Sequence, residues 1–445
     1  MLKLLHNQLG ILIAPFIFIA TLTGLLYALT PQLEHYIYQK QLIAQHTPDQ
    51  KTYPLRQQIA AALNVLPMQA TIVAVRTATT SDATTRILYQ LPQSNTTTAI
   101  FINPYSLTIQ GQLPVYGTSG VLPLRTFLDQ LHRSLLLGEY GRIYSELAAS
   151  WLGLFALTGL IQWWRYRQKT QHVSKRSRAI RWHYLLGLVL LPMLFFFSIT
   201  GLTWSKWTGA NIAELRHLFN SATPSLNRTL TTTAVQDLNS DLHAEHQSLS
   251  HTHQHNVTPI AQLDNFDHII DIARQYGLNA TALQIKPSHR NDQAWSIEEL
   301  DHHWPIAIDA LAVDMSNQHV VDHLKFNDFP LSAKLTRWGV DLHIGVLFGW
   351  INQLLLITSA LMILLLLIFA YRAWWRYQRP LQTLQQLNYT ILQNWKILTT
   401  RKKLIYISII FALYSILPIW SISVIILQLT VFIGHYFNTK NRDCT

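Results

Sequence analysis

Five stretches of the chain carry no Lys, Arg, Asp or Glu for long enough to cross a bilayer. They are bounded by Lys3 and Glu34, Glu146 and Arg165, Arg181 and Lys206, Asp341 and Arg372, and Lys403 and Lys440. A spanning helix needs about 20 such residues, because only a helix or a closed barrel satisfies its own backbone polar groups in hydrocarbon. The charged fraction is 13%, where soluble domains carry about 25%. The 14 Trp and 18 Tyr suit a chain with two lipid–water boundaries. The first stretch reads as an uncleaved span. Only Lys3 precedes it, and its apolar part runs to Leu29 without a small-residue cleavage site.

The formal charge of +11 is unevenly placed. Arg165 to Arg181 holds seven Lys/Arg and no acid, and so does Arg372 to Lys403. Lys206 to Asp341 reverses the balance, with nine basic and sixteen acidic residues. Basic residues in short runs beside apolar stretches mark cytoplasmic loops rather than a nucleic-acid surface. The expected order is therefore a first span over 1–30, an external domain over 31–142, a second span over 143–165 and a basic cytoplasmic loop over 166–181. A third span over 182–205, a second external domain over 206–341, a fourth span over 342–371 and a basic loop over 372–403 follow. The hydrophobic segment 404–437 contains Pro418 and is one span or a re-entrant pair. The N-terminus is expected in the cytoplasm. The external domains are expected in the periplasm of a Gram-negative cell, with the protein in its inner membrane.

The spans repeat. With His6 set on His183, an offset of 177, Gly10 meets Gly187, Pro15 meets Pro192, and Thr23-Gly24-Leu25 meets Thr200-Gly201-Leu202. With His132 set on His343, an offset of 211, Leu131 meets Leu342, Gly138 meets Gly349, and Trp163-Trp164-Arg165-Tyr166 meets Trp374-Trp375-Arg376-Tyr377. So many matches at non-aliphatic positions imply a duplicated helix–external domain–helix unit, which makes a four-helix transmembrane bundle plus a C-terminal hydrophobic segment. The offsets differ by 34, and the excess falls in a Ser/Thr/Asn/His-rich insertion at 221–258. Both external domains read as small α+β units. Helices are expected over Tyr53–Leu66 and Ile260–Tyr276. Strands are expected over Arg86–Leu91, Ala99–Ile102, Thr281–Ile285, Ala294–Ile297 and Ile306–Val313, with a turn at Asn103-Pro104.

An ionisable residue at the edge of an apolar helix is a functional candidate. Here four histidines occupy equivalent places. His6 and His183 open helices that leave the cytoplasm, and His132 and His343 precede helices that return. They make two pairs, one near each membrane face, and facing imidazoles across a bundle can ligate haem iron axially. Gly24 and Gly201 lie 18 residues after His6 and His183, roughly 27 Å along a helix. There they either leave room for a macrocycle held by His132 and His343 or let helices approach closely. If one continuous helix carried both, His132 would stand about 21 Å outside the stretch that starts at Leu147, so the outer site is expected at the membrane surface.

These motifs resemble those of the PepSY-associated transmembrane helix family, also described as iron-regulated inner-membrane proteins. The residues that carry the likeness are Leu5-His6 with Gly10 and Thr23-Gly24, Leu131-His132-Arg133, Trp182-His183 with Gly187 and Thr200-Gly201, and Leu342-His343, over about residues 1–380. The resemblance implies PepSY-like periplasmic domains and, for one branch, a haem-containing ferric-siderophore reductase with His6, His132, His183 and His343 as axial ligands of two haem b groups. Three of the four histidines are followed by Asn7, Tyr184 and Ile344 where the family pattern has Arg. This weakens a propionate-binding role for that position without removing a ligand.

The reading that results is a di-haem oxidoreductase that delivers electrons to a periplasmic ferric chelate or siderophore. The donor is left open between quinol, reduced flavin and an NAD(P)H-linked partner. The chain has no Gly-rich dinucleotide fingerprint, P-loop, zinc-protease or serine-hydrolase signature. Its one cysteine, Cys444, makes neither an intramolecular disulfide nor a thiolate cluster. The alternative is a haem-free module whose external domains restrain a periplasmic protease or partner. A transporter is disfavoured by the uncharged spans. His243, His246, His251, His253 and His255 in the insertion read as a solvated run or a loose metal site. His302-His303, after Glu298, Glu299 and Asp301, reads as an exposed strand-end turn.

Overall fold

A computed structural model of the protein describes residues 2–167 except 93, 95 and 118, then 178–230, 262–377, 393, 396–427 and 429. The elements, in chain order, are α1 (Leu2–Ala28), α2 (Thr30–Ile37), α3 (Gln39–Leu42), α4 (Leu55–Leu63), β1 (Thr71–Arg76), β2 (Thr85–Gln90), β3 (Thr97–Ile102), β4 (Ile109–Val115), α5 (Pro123–Ser134), α6 (Gly138–Arg167), α7 (Arg178–Val189) and α8 (Leu191–Thr203). They continue as α9 (Trp207–Leu218), α10 (Asp264–Gln275), β5 (Leu283–Lys286), β6 (Trp295–Glu299), β7 (Ala310–Asp314), β8 (His319–Leu324), α11 (Leu331–His343) and α12 (Trp350–Tyr377). The helix Thr400–Ile416 follows. The chain folds as two compact units. One holds the residues up to Ala28, Leu128–Leu218 and those from Leu354 on; the other holds Leu29–Phe127 and Phe219–Gln353.

The first unit is helical, and its composition is that of a multi-pass membrane protein. Leu9–Ala28, Gly138–Arg165 and Trp350–Trp375 are each long and apolar enough to span, and two bent pairs bring the number to five if each is one span. A proline lies at each bend, where it donates no backbone hydrogen bond. Pro192 opens α8, which meets α7 at 62°. Leu417, ahead of Pro418, has φ −117° and ψ 71°, and Pro418–Leu427 turns by 120° from the helix before it. Pro15, by contrast, sits within the unbroken α1.

Leu9, Ile13 and Ile17 repeat every four residues on α1 and pack against Ala148, Trp151 and Ala156 of α6, with Leu190, Leu194, Ile363, Leu366 and Leu367 completing the cluster. Trp151 Nε1 donates to Ser423 Oγ at 3.0 Å, the partner a buried indole requires. Small residues let α6 and α8 close in. A Cβ on Gly153 would lie 2.6 Å from Ser198 Oγ, and one on Gly201 would lie 3.2 Å from Ala149 Cβ. The second span starts at Gly138, five residues before the expected boundary, because its early charges are all engaged. Glu139 pairs with Lys206 at 2.5 Å, and Arg142 donates to the Trp204 carbonyl at 3.2 Å. Buried Glu146 accepts from the backbone N–H groups of Trp207 and Thr208 at 3.1 Å. It thereby caps α9, where a helix N-terminus favours a carboxylate.

The second unit revises the expectation of two separate external domains. Its strands form one antiparallel eight-stranded sheet of order β4-β3-β2-β1-β5-β6-β7-β8. The two four-strand sets join where β1 pairs β5, with Val75 opposite Ile285 and Arg76 opposite Gln284. Alternation gives each strand two faces. Ile72, Val75, Ile87, Ile100, Leu283, Ile285, Ile297 and Leu311 share a core with Ile59 of α4 and Phe266 and Ile269 of α10. Ala74, Leu88, Ala99 and Phe101 line the other face. Asp267 of α10 ties the two helices by accepting from the backbone N–H groups of Leu55 and Arg56 at 2.7 and 3.2 Å. Phe266 is fully buried, with its ring 4.8 Å from that of Trp295. Phe266→Ala is therefore expected to cost about 3–5 kcal/mol, and faster hydrogen exchange across β5–β7 of the intact protein checks it.

Candidate functional site

The helical unit brings His6 and His183 together. Their ring centroids lie 6.3 Å apart at an interplanar angle of 73°. One threonine side chain and one backbone carbonyl orient the two rings. His6 Nδ1 lies 3.0 Å from Thr158 Oγ1. That hydroxyl donates its hydrogen to the Leu154 carbonyl at 2.8 Å, so its oxygen accepts from His6 Nδ1–H. His183 Nδ1 donates to the Leu366 carbonyl at 3.1 Å, which can only accept. Both neutral imidazoles therefore carry their proton on Nδ1 and present a lone pair on Nε2. Neither Nε2 makes a hydrogen bond among the described residues.

Helix geometry explains the fit. Thr158 and Gly159 are consecutive on α6. The threonine holds the His6 ring by its edge, while the glycine leaves the room that ring occupies, since a Cβ at Gly159 would lie 3.2 Å from His6 Cε1. Phe155, a turn earlier, meets the same ring edge-on at 5.7 Å. Tyr184 meets His183 edge-on at 6.2 Å.

His132 follows the same rule with a different helix. Thr23 Oγ1 donates to the Ile19 carbonyl at 2.8 Å and lies 3.0 Å from His132 Nδ1, so it accepts from Nδ1–H. A Cβ on Gly24 would lie 3.2 Å from His132 Cε1. Burial pushes the His132 pKa down, opposed by Asp129 and the Ala20 carbonyl, which keeps the imidazole in the neutral form that binds metals. The helix carrying His132 is not continuous with the span, contrary to the premise that would set it about 21 Å away. α5 ends at Ser134, and Leu135, Leu136 and Gly138 take φ of 53°, 61° and 59°, which reverses the chain. Two of these are leucines in a region that costs non-glycine residues energy. The turn is held by α6, whose Tyr144 hydroxyl donates to the His132 carbonyl and whose Ser145 Oγ donates to the Arg133 carbonyl at 2.7 Å.

His343 belongs to the second unit, in the last turn of α11. It precedes a turn that ends at Gly349, whose φ of 57° matches the 59° of its repeat equivalent Gly138. Asp341, two residues earlier, is 1% exposed and accepts from Arg337 Nε at 3.1 Å. His302 Nδ1 lies 3.4 Å from the other Asp341 carboxylate oxygen, and Arg337 also contacts His302. His302 is thus part of a half-buried cluster, whereas His303 faces solvent against Asp301 at 3.0 Å. Gly201 lies at the α6–α8 crossing described above. His243, His246, His251, His253 and His255 lie outside the described residues. Among the described residues no three His, Cys, Asp or Glu side chains gather into a metal site.

The donor set on α1 and α7 is therefore a pair of Nε2 lone pairs. A metal held by only these two protein nitrogens would take its other ligands from elsewhere, as a porphyrin would supply them. The residues present fit haem. Thr158, Gly159, Thr23 and the Leu366 carbonyl went unassigned in the sequence. The threonines and the glycine had a signal in the Thr-Gly dipeptide at 158–159, a copy of those at 23–24 and 200–201, whereas the Leu366 carbonyl had none. The family model for the PepSY-associated TM region matches residues 4–376 of the chain. No curated protein matches it.

Proposed function

The chain belongs to the PepSY-associated transmembrane family, and from that premise we propose that it is a two-haem b oxidoreductase of the ferric-siderophore reductase kind. It passes electrons across the bacterial inner membrane to a ferric chelate in the periplasm. The observation that carries this reading is the His6–His183 pair, with both Nδ1 atoms engaged and both Nε2 atoms presented. On this reading His6 and His183 hold one haem, and the repeat assigns His132 and His343 to a second. On the same reading α1, α6, the α7–α8 pair and α12 are the four helices of the duplicated unit. The basic loops put the N-terminus in the cytoplasm.

Haem, when bound, supplies one-electron redox chemistry. The chain's own residues supply position and basicity. Thr158 and the Leu366 carbonyl accept the Nδ1–H of each ring, which sets its orientation and strengthens Nε2 as a ligand. Phe155 and Tyr184 pack edge-on against the two rings. Iron(II) binds hard oxygen donors less tightly than iron(III), so reduction loosens a chelate's hold. Electrons come from quinol, reduced flavin or an NAD(P)H-linked partner.

The test is a visible spectrum of the purified protein, oxidised and dithionite-reduced, with pyridine haemochrome quantitation. About two haems per chain are expected, with one lost in His6→Ala and one in His343→Ala. A colourless protein after expression with added haem precursor would overturn the reading and favour the haem-free interaction module.

A further inference from the structure

The β6–β7 connection meets the turn before α12, and together they expose aromatic rings where an apolar helix begins. Trp304, in that connection, donates its backbone N–H to the Leu347 carbonyl at 2.7 Å. Its ring lies 5.5 Å from that of Trp338 on α11 and 6.2 Å from that of Phe348. Trp338 in turn packs against the buried cluster of Phe326, Phe329 and Ala333. The rings are thus backed by a core of the sheet-bearing unit. Their outer sides are uncovered: Trp304 is 54% exposed, Phe348 50% and Trp350 72%. Leu331 and Leu335 on α11 are exposed as well, at helical spacing from Trp338. A contiguous apolar patch of this kind marks an interaction surface.

What covers the patch follows from the chain. Trp350 is the first residue of the apolar helix Trp350–Trp375, whose 26 residues measure roughly 39 Å against about 30 Å of hydrocarbon. The ends of such a helix reach into the headgroup layers, where Trp is favoured. The turn before it is tight. Gly349, with φ 57°, donates its N–H to the Val346 carbonyl at 2.9 Å, so Leu347 stays within about 7 Å of the helix start. The hydrogen bond to Leu347 then places Trp304 beside the same layer, although Trp304 is far from any span in the sequence. The repeat carries the same feature. At the offset of 211, Leu137 stands for Phe348 and Tyr140 for Ile351, and all four are exposed.

We propose that the β6–β7 connection is a lipid anchor, with Trp304 and Phe348 seating the sheet-bearing unit in the headgroup layer beside the start of α12. The occupant of the patch is the bilayer itself. An indole suits that place, because its ring is apolar and its N–H finds water or headgroup oxygens there. The anchor holds Trp304 from the sheet and Phe348 from the span turn in one layer. It does not depend on the haem reading, since it needs only that α12 spans.

The test is nitroxide accessibility in the full-length protein, held in nanodiscs of phosphatidylcholine and phosphatidylglycerol. Cys444→Ser removes the one cysteine, and labels are placed singly through Trp304→Cys, Phe348→Cys, Leu361→Cys and Ser316→Cys. Leu361 is exposed within α12 and reports hydrocarbon. Ser316 lies in the β7–β8 turn, at the other end of β7 from Trp304 and about 17 Å along that strand, and reports water. Labels at 304 and 348 are expected to meet a nickel chelate at least about fivefold less often than the label at 316, the factor that about 1 kcal/mol of exclusion gives. They are expected to meet oxygen at least as often as that label does. Chelate collisions at 304 equal to those at 316 would overturn the anchor. Loss of both collisions at 304 would also overturn it, because protein rather than lipid would then cover the ring. A label at His303 leaves Trp304 in place. It is expected to be shielded from the chelate, and Trp304→Ser in that background is expected to raise its chelate collisions towards the value at 316. Shielding at 303 unchanged by Trp304→Ser would show that Trp304 does not hold this connection in the layer.

Discussion

Replacing Gly159 with valine is expected to empty the His6/His183 site of haem as fully as His6→Ala does. A Cβ at this position already comes within 3.2 Å of His6 Cε1, and valine adds two methyl groups on a stiff χ1. The ring must leave its place, and with it the Nδ1 contact to Thr158 that orients Nε2. Gly159→Ala asks for a shift of only a few tenths of an ångström and is expected to retain most of the haem. Gly187→Ala, whose Cβ would make an ordinary 3.7 Å contact with Leu366, is expected to retain all of it. Thr158→Val keeps the volume of the side chain but removes the acceptor, and loss of such an outer partner costs about 10- to 100-fold in metal affinity. Pyridine haemochrome per chain reads the series. Full haem in Gly159→Val would show that the imidazole is not seated by this glycine.

The histidines were legible because they are ionisable groups in apolar surroundings and recur at matched positions in the repeat. Of their supports only the Thr-Gly dipeptides at 23–24 and 158–159 were legible. Thr158-Gly159 has no equivalent on α12, where the repeat places Phe369-Ala370, and His183 is held instead by a backbone carbonyl that any residue at 366 supplies. The environment of His132 was misjudged for a related reason. Reversal at Leu135–Gly138 uses leucines with positive φ, residue types that give no turn signal, and the groups that hold it, Tyr144 and Ser145, lie in the next helix.

The sheet was half legible. β2, β3, β5, β6 and β7 are apolar runs close to their expected places, and Asn103 makes the expected turn by accepting from Tyr105 N at 2.8 Å. β4 and β8 are the two edges of the sheet. Their sequences, Ile-Gln-Gly-Gln-Leu-Pro-Val and His-Val-Val-Asp-His-Leu, carry the Gly, Pro and charge that edges tolerate and that mask a strand pattern. The β1–β5 pairing joins residues over two hundred positions apart, and no local periodicity encodes such a partner.

Arg337→Ala is expected to destabilise the sheet-bearing unit by about 3–5 kcal/mol, the cost of leaving one member of a buried pair without the other. Asp341 is 1% exposed, and its neighbour Arg337 is 21% exposed, so solvent does little to replace the lost guanidinium. His302, with Nδ1 at 3.4 Å from the carboxylate, is too far for a strong hydrogen bond and does not take over the role. The double variant Arg337→Ala/Asp341→Leu removes the stranded charge and is expected to recover most of the loss, because replacing both partners by apolar groups is often neutral. Asp341 lies two residues before His343 on α11, so the single variant is also expected to loosen that helix end and lower the haem assigned to His343 while sparing the His6/His183 site. Urea unfolding of the two variants, read by hydrogen exchange on α11 beside haem per chain, separates these effects. A single variant as stable as the wild type would mean that the carboxylate is solvated or protonated without its arginine, and that the cluster does not anchor His343.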